Sequence, residues 1–284
     1  MAGLKAIKRR IASVKSTQQV TRVMKMVAAA KLRRAQENML QARPYALRLR
    51  SVIRDLSAQV DRSAHPLLDL REPEHIGLVT VTGDRGLAGG FNANILKRTR
   101  ETIEQHSSLH TMLFTVGKKG CEFFARRGAE IAGRKQGFFN HLEFGHAQEL
   151  GDMITSHYVA EKIDRVYLIY NEFKSALQQN VVVEQLLPIV PDEHAEHLPS
   201  DSIFEPSQKE ILDAVLPRYV NVQLWRILLE SFAAEMAARM TAMENATQNA
   251  SELIDSLTLR YNKERQAAIT GEILEVVTGA EGLK

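Results

Sequence analysis

The sequence predicts a mixed α/β protein, in which long N- and C-terminal helices form an antiparallel coiled coil around a small α/β domain with a largely parallel sheet. Three observations lead there. Apolar residues advance by threes and fours through residues 1–60, and they do so again from Val222 almost to the C-terminus. Between these stretches, short β-branched runs alternate with helical ones.

The first helix follows from Leu4, Ile7, Ile11 and Val14, a stripe that continues by the same steps to Leu56 and Val60 and is broken only by Gln18, Thr21 and Lys25. About eight heptads correspond to a helix of roughly 85–90 Å at 1.5 Å per residue. Pro44 is expected to bend it, because proline removes a backbone donor. A linker is expected from Asp61 to Glu74, where the heptads stop and Pro66 and Pro73 appear.

Strands are predicted at Ile76–Thr82, Thr111–Val116, Arg165–Phe173 and Asn180–Val190, all rich in β-branched and aromatic residues. Helices are predicted from Asn92 to Gln105, from Gly117 to near Gly128, and around Gln148–Ala160. This alternation gives a Rossmann-like domain. Pro188, Pro191, Pro199 and Pro206 mark its exit, and helix is expected to resume near Ser207, with Pro217 interrupting or restarting it. The expected division is 1–60 for the N-terminal helix, 75–192 for the α/β domain, and 207–284 for the C-terminal helix and its tip.

In the last helix, twelve of the seventeen seam positions from Val222 to Thr278 are apolar. Its end differs from the rest. Ile269, Ile273, Leu274, Val276, Val277 and Ala280 point to more than one side of the helix, which is the pattern of an enclosed helix. A tip of this kind, carrying Arg265, Gln266, Thr270, Glu272 and Glu275 as polar points, is expected to sit in a socket supplied by other chains.

The net charge of +3 conceals an asymmetry. Residues 1–60 hold fourteen Lys/Arg against Glu37 and Asp55, a net +12, which leaves −9 for the remainder. A basic segment this one-sided points to an acidic partner: nucleic acid, a lipid surface or acidic protein loops. Cys121 is the single cysteine, which excludes an internal disulfide and a cysteine-based zinc site. The N-terminus, MAGLKAIKRR, lacks the apolar core of a secretory signal, and no window matches a membrane span.

GDRGLAGG, Gly83 to Gly90, stands between a strand and a helix, the place of a phosphate-binding turn. Its glycines do not fall at G-x-G-x-x-G, and the Lys-Ser/Thr of a P-loop is missing. A tight turn exposing Asp84 and Arg85 is the preferred reading. The nine histidines form no metal constellation; His106 and His110 straddle an expected loop, and His194 and His197 lie in the acidic exit segment. No G-x-S-x-G elbow is present, and Glu272 with Glu275 on a helix tip have no cleft to work in. The residues therefore indicate a non-catalytic protein without cofactor.

Three stretches carry a family resemblance: VTRVMKMVAAAKLRRAQ (20–36), TGDRGLAGGFN (82–92), and ARMTAMENATQNASELI with YNKERQAAITGEILEVVTGA (238–254 and 261–280). In these, and in the order of its parts, the chain resembles the gamma subunits of bacterial F-type ATP synthases. It departs at Gly83 and Ala88, where many members carry Ser and Cys.

The resemblance implies a central rotor shaft at the cytoplasmic face of the inner membrane, a peripheral subunit joining a proton-driven ring of c subunits to a catalytic α/β head. Its implied partners are the α, β and epsilon subunits and the c-ring. Arg85 and Ala88 would face acidic loops of β, beside a basic collar of Lys25, Lys31, Arg33 and Arg34. Arg265, Gln266, Thr270, Glu272 and Glu275 would meet the head, and Phe204 and Glu205 would lie at the foot near the ring and epsilon.

Two competing readings start from the residues alone. A basic coiled-coil nucleic-acid-binding protein would account for the net +12 of residues 1–60, but that segment has one aromatic residue, Tyr45, and no reader motif. A nucleotide-dependent enzyme built on the α/β domain would need a phosphate loop that the sequence does not supply.

Overall fold

The computed structural model describes residues 2–57, 65–175, 178–190 and 207–281. Val60, linker residues 61–64 and the exit segment with Pro191, Pro199 and Pro206 lie outside the described residues. In chain order the elements are α1 (Ala2–Ser57), β1 (His75–Val81), α2 (Phe91–Gln105), β2 (His110–Val116), α3 (Lys118–Ala125), β3 (Ile131–Lys135), α4 (Phe144–Val159), β4 (Arg165–Phe173), β5 (Gln179–Leu187) and α5 (Gln208–Glu281). The chain divides into two compact units, one of Met1–Ala28 with Met240–Lys284 and one of Ala29–Arg239.

In the first unit, α1 and α5 cover each other's seams. Leu4, Ile7, Ile11, Val14, Gln18 and Lys25 are half-buried and Thr21 and Ala28 buried, while the residues between them, apart from Met24, are exposed. The polar breaks in the stripe are register marks. Thr21 Oγ1 lies 2.8 Å from Thr247 Oγ1, and Lys25 pairs with Glu244, so numbers rise on one helix as they fall on the other. The pair is antiparallel, and a misregistered alignment would strand these polar groups against apolar ones. On α5, Met243, Ala250 and Leu257 are buried. Leu253 was the expected seam residue between the last two; it is 40% exposed, and Ile254 turns inward instead.

The second unit is built on a five-stranded sheet in the order β3-β2-β1-β4-β5. β1 pairs in parallel with β2 and β4, β2 in parallel with β3, and only β5 runs antiparallel, on β4. Alternate strand residues serve two cores. Ile76, Leu78, Leu113 and Ile169 pack with Phe91, Ile95 and Phe124 from α2 and α3. Val79, Val81, Phe114, Val166 and Leu168 pack on the other face with Leu150 and Ile154 of α4, Ile53 of α1 and a row of α5 residues from Leu212 to Leu228. Burial of both faces is why these strands read as near-continuous apolar runs.

Three expectations need correction. β3 was not foreseen, because IAGRK buries only Gly133 and carries Arg134 and Lys135. α4 begins at Phe144, where the Glu143 amide donates to His146 Nδ1 at 3.1 Å, four residues before the expected start. Pro217 neither interrupts nor restarts α5, which is continuous from Gln208. Its cost is offset by the buried Leu212, Leu216 and Val220 on either side, and the Glu210 amide is capped by Ser207 Oγ at 3.3 Å.

Arg226 ties α5 to the antiparallel edge of the sheet. Its Nη2 donates to both Glu184 oxygens, at 2.9 and 2.8 Å, and its Nη1 to Tyr170 Oη at 3.3 Å and Glu230 Oε1 at 3.2 Å. Glu230 Oε2 is buried without a partner, and burial, only partly opposed by Arg226, pushes the Glu230 carboxyl above its usual range. A raised carboxyl contributes stability that is complete below the unfolded value and is lost as pH rises through the folded one. Glu230→Gln leaves the Glu184 fork intact and removes that loss, so its unfolding free energy should improve relative to wild type as pH rises through that window. Urea titrations at a series of pH values test this, and a difference independent of pH would refute it.

Candidate functional site

The segment from Thr82 to Gly90 joins β1 to α2 at the carboxyl end of the sheet, where open α/β folds hold ligands. Here the chain fills that place itself. Thr82 Oγ1 donates to the Val116 carbonyl at 2.9 Å and accepts from the Gly120 amide at 2.8 Å. Gly117 starts the turn into α3 with φ 87°, and a β-carbon there would stand 2.0 Å from the Thr82 carbonyl oxygen. Asp84 does not project outward as expected. It is half-buried, and its carboxylate accepts the Lys118 amide at 3.0 Å and the Gly137 amide at 3.1 Å. The amides that could cradle a phosphate at the start of α3 hold a carboxylate of the same chain.

From below, α5 closes the loop. Glu235 is 4% exposed, and a β-carbon on Gly83 would come within 2.8 Å of its carboxylate. Burial raises the Glu235 carboxyl above its ordinary value, opposed by Arg239, while Asp84 adds to the rise and Lys31 opposes it. Arg239 bonds Glu235 and also donates to the Gly86 carbonyl at 3.3 Å. Asn92 completes the frame: its Oδ1 accepts the Gly83 amide at 2.9 Å and its Nδ2 donates to the Arg85 carbonyl at 3.1 Å. Glu235, Arg239 and Asn92 were not singled out from the sequence as site residues. The available signal was an i, i+4 charge pair inside the small-residue stretch AAEMAARM.

The loop therefore presents a fixed outer face. Arg85 is exposed, as expected. Ala88 is not: it is 2% exposed and packs into the core with Phe91 and Ile95. The exposed side chain beside Arg85 is Leu87, at 65%.

In the same unit, Lys31 donates to Asn140 Oδ1 at 2.9 Å, Arg33 meets Glu37 at 3.2 Å, and Arg34 is exposed. Lys25 belongs to the other unit, where Glu244 pairs with it. Also in that unit, Arg265, Gln266, Thr270, Glu272 and Glu275 are all exposed on α5. With them are Ile269, Ile273, Leu274, Val276 and Val277, each about half exposed or more, from 48% to 71%. Phe204, Glu205, His194 and His197 lie outside the described residues. Among the described residues no group of three potential ligands could hold a metal ion, and no helix is long and apolar enough to cross a membrane.

A family model described as ATP synthase matches residues 3–283. Over its full length the chain is 50% identical to the ATP synthase gamma chain of Chlorobaculum tepidum, covering all of that protein too. The chain belongs to the ATP synthase gamma-chain family. The gamma chain of Geobacter metallireducens is 48% identical, again with both chains wholly covered. Among solved structures, a chain of the Euglena gracilis mitochondrial ATP synthase matches with a TM-score of 0.71 at 18% identity, over 99% of this chain and 95% of that one. A central-stalk chain from the Tetrahymena thermophila mitochondrial ATP synthase gives 0.63 at 24% identity, over 80% and 99%. At these identities the solved structures establish the fold alone.

The loop from Thr82 to Gly90 is held in one shape by its hydrogen bonds. Gly117→Ala tests its frame, since alanine must adopt φ 87° and displace the Thr82 carbonyl. A loss of more than about 2 kcal/mol in unfolding free energy is expected by urea denaturation, and a loss within about 0.5 kcal/mol would show that the loop is not locked.

Proposed function

We propose that the chain is the central rotor shaft of a bacterial F-type ATP synthase. It carries rotation between a proton-driven c-ring and the catalytic head of α and β subunits, catalyses nothing itself, and is peripheral to the cytoplasmic face of the inner membrane. The observation that carries the reading is the end of α5. Its seam is buried up to Leu257, whereas Ile269 to Val277 expose apolar side chains on several faces. A surface of that kind requires enclosure by another chain. The full-length relatives are ATP synthase gamma chains, and the same fold occurs in the central stalk and rotor of mitochondrial ATP synthases.

On this reading the residues divide the work. The apolar tip turns within a bearing, with Arg265, Gln266, Thr270, Glu272 and Glu275 bonding loops of the head. Arg85, with Lys25, Lys31, Arg33 and Arg34, offers positive charge to acidic loops of β. Phe204 and Glu205 serve the foot, against the ring and epsilon. ATP chemistry belongs to the head subunits, in keeping with a loop whose anion-binding amides are taken by Asp84. Diffuse positive charge attracts acidic loops at every angle without fixing one orientation, as a shaft that turns past them requires.

The double variant Arg33→Glu/Arg34→Glu tests the reading. Both side chains are exposed, so helix content and melting temperature should stay at wild-type values. Proton-driven ATP synthesis by the reconstituted complex should fall several-fold while the head's ATPase activity persists. Unchanged synthesis would count against a role for this charge in coupling.

A further inference from the structure

The turn that leads the chain from α1 into β1 is built on a histidine. His65 is 9% exposed; its Nδ1 accepts the Leu67 amide at 3.1 Å, and the Leu68 amide donates to the His65 carbonyl at 3.0 Å. The turn is tied in three directions. The Leu67 carbonyl accepts the Ile189 amide at 2.9 Å, just past β5, where the chain leaves the sheet. The Asp69 carbonyl accepts Tyr158 Oη of α4 at 3.2 Å. His65 Nε2 faces Asp213 Oδ1 on α5 at 3.7 Å, an ion-pair distance rather than a hydrogen bond. Leu67 and Leu68 share a core with Leu187, Ile189, Leu212 and Leu216, so the entry to the sheet and the exit from it are packed together.

One proton decides whether this turn can close. An imidazole nitrogen accepts a hydrogen bond only while unprotonated, so the Leu67 bond requires the neutral ring with its proton on Nε2. A proton on Nδ1 would set one N–H against another and leave the buried Leu67 amide without its acceptor. Burial disfavours the charged ring and outweighs the attraction of Asp213, which holds the His65 ring below its ordinary value of 6.5. Asp213 is the charged group acting on the ring among the described residues. Pro66, Leu67, Leu68 and residues 187–189 carry no charge, Asp69 is paired with Arg71, and Ile53 and Leu56, which α1 adds to this core, are apolar.

We propose that His65 is an acid-released latch, closed with a neutral ring and opened by protonation, that fixes where the chain enters and leaves the α/β sheet. The latch works in the same way whatever partners the chain has. Its stability is complete above the unfolded value of 6.5 and is lost as pH falls through the lower, folded one.

Amide hydrogen exchange on the full chain, followed by NMR as protection factors at about pH 7.5 and about pH 5.5, tests this. Protection of the Leu67 and Ile189 amides is expected to fall several-fold, up to the roughly tenfold limit that one pH unit allows, while the amides of β1 keep theirs. Equal protection at both pH values would overturn the proposal, as would a nitrogen spectrum placing the His65 proton on Nδ1 at neutral pH. His65→Asn separates the latch from a merely structural ring, because an asparagine oxygen accepts the amide two residues on but does not titrate. That variant is expected to hold the neutral-pH protection within about threefold and to lose the acid effect. An acid loss equal to wild type would put the responsible proton elsewhere and overturn the proposal. Should His65→Asn fail to fold, Asp213→Asn, at an exposed site, serves instead. Without that carboxylate the midpoint of the acid effect is expected at lower pH, and an unmoved midpoint would overturn the role given to His65.

Discussion

A helix as long as α5, seventy-four residues, holds its shape in water only where another surface covers its apolar side. That cover comes from two sources. In one unit it is α1, meeting Met243, Ala250 and Leu257; in the other it is the sheet and the helices around it, which bury Leu212 to Leu228 on one side and enclose Ala233, Ala234 and Ala237 completely. Past Leu257 the described chain supplies little cover, yet the sequence stays apolar. The change from covered to uncovered seam within a single helix is the feature on which the proposed partner contact rests.

The glycine loop depends on a different constraint, a carboxylate buried under backbone. Glu235 is placed where a β-carbon on Gly83 would collide with it, and its raised carboxyl shows that burial outweighs the attraction of Arg239. A pair of this kind adds little net stability. What it supplies is direction, since the guanidinium that compensates Glu235 also holds the Gly86 carbonyl and so fixes which residues the loop turns outward. Together with Asp84 on the Lys118 and Gly137 amides, this makes the carboxyl end of the sheet a solid support where related architectures keep a ligand crevice.

Legibility in the sequence followed how many residues shared a constraint. The α1 seam was readable because more than a dozen positions repeat one pattern, and even its breaks at Thr21 and Lys25 fall at the seam. β4 was readable to the residue because both its faces are buried. β3 was hidden because a five-residue edge strand buries one glycine and shows its charges. Strict heptad counting placed Leu253 inside, where the structure places Ile254, since an α-helix of 3.6 residues per turn drifts against a repeat of 3.5. The loop was the least legible part. Whether Asp84, Leu87 or Ala88 faces outward depends on single dihedral angles and on Glu235 and Arg239, some 150 residues away, and on a helix wheel those two count only as interruptions.

On the proposed reading, the two surfaces suit opposite demands of a turning shaft. At the tip, Ile269, Ile273, Leu274, Val276 and Val277 offer contact that is non-directional, so a socket that excludes water can retain them through a rotation at nearly constant free energy. At the glycine loop any contact would be directional, because Asn92, Asp84 and Arg239 fix the backbone that carries the exposed Arg85 guanidinium. A shaft with only the first surface would spin without pushing on anything, and one with only the second would lock at its first good fit. A framed loop on the α/β unit and a greasy helix end on the other unit would let such a shaft hold its axis and still act on each neighbour in turn.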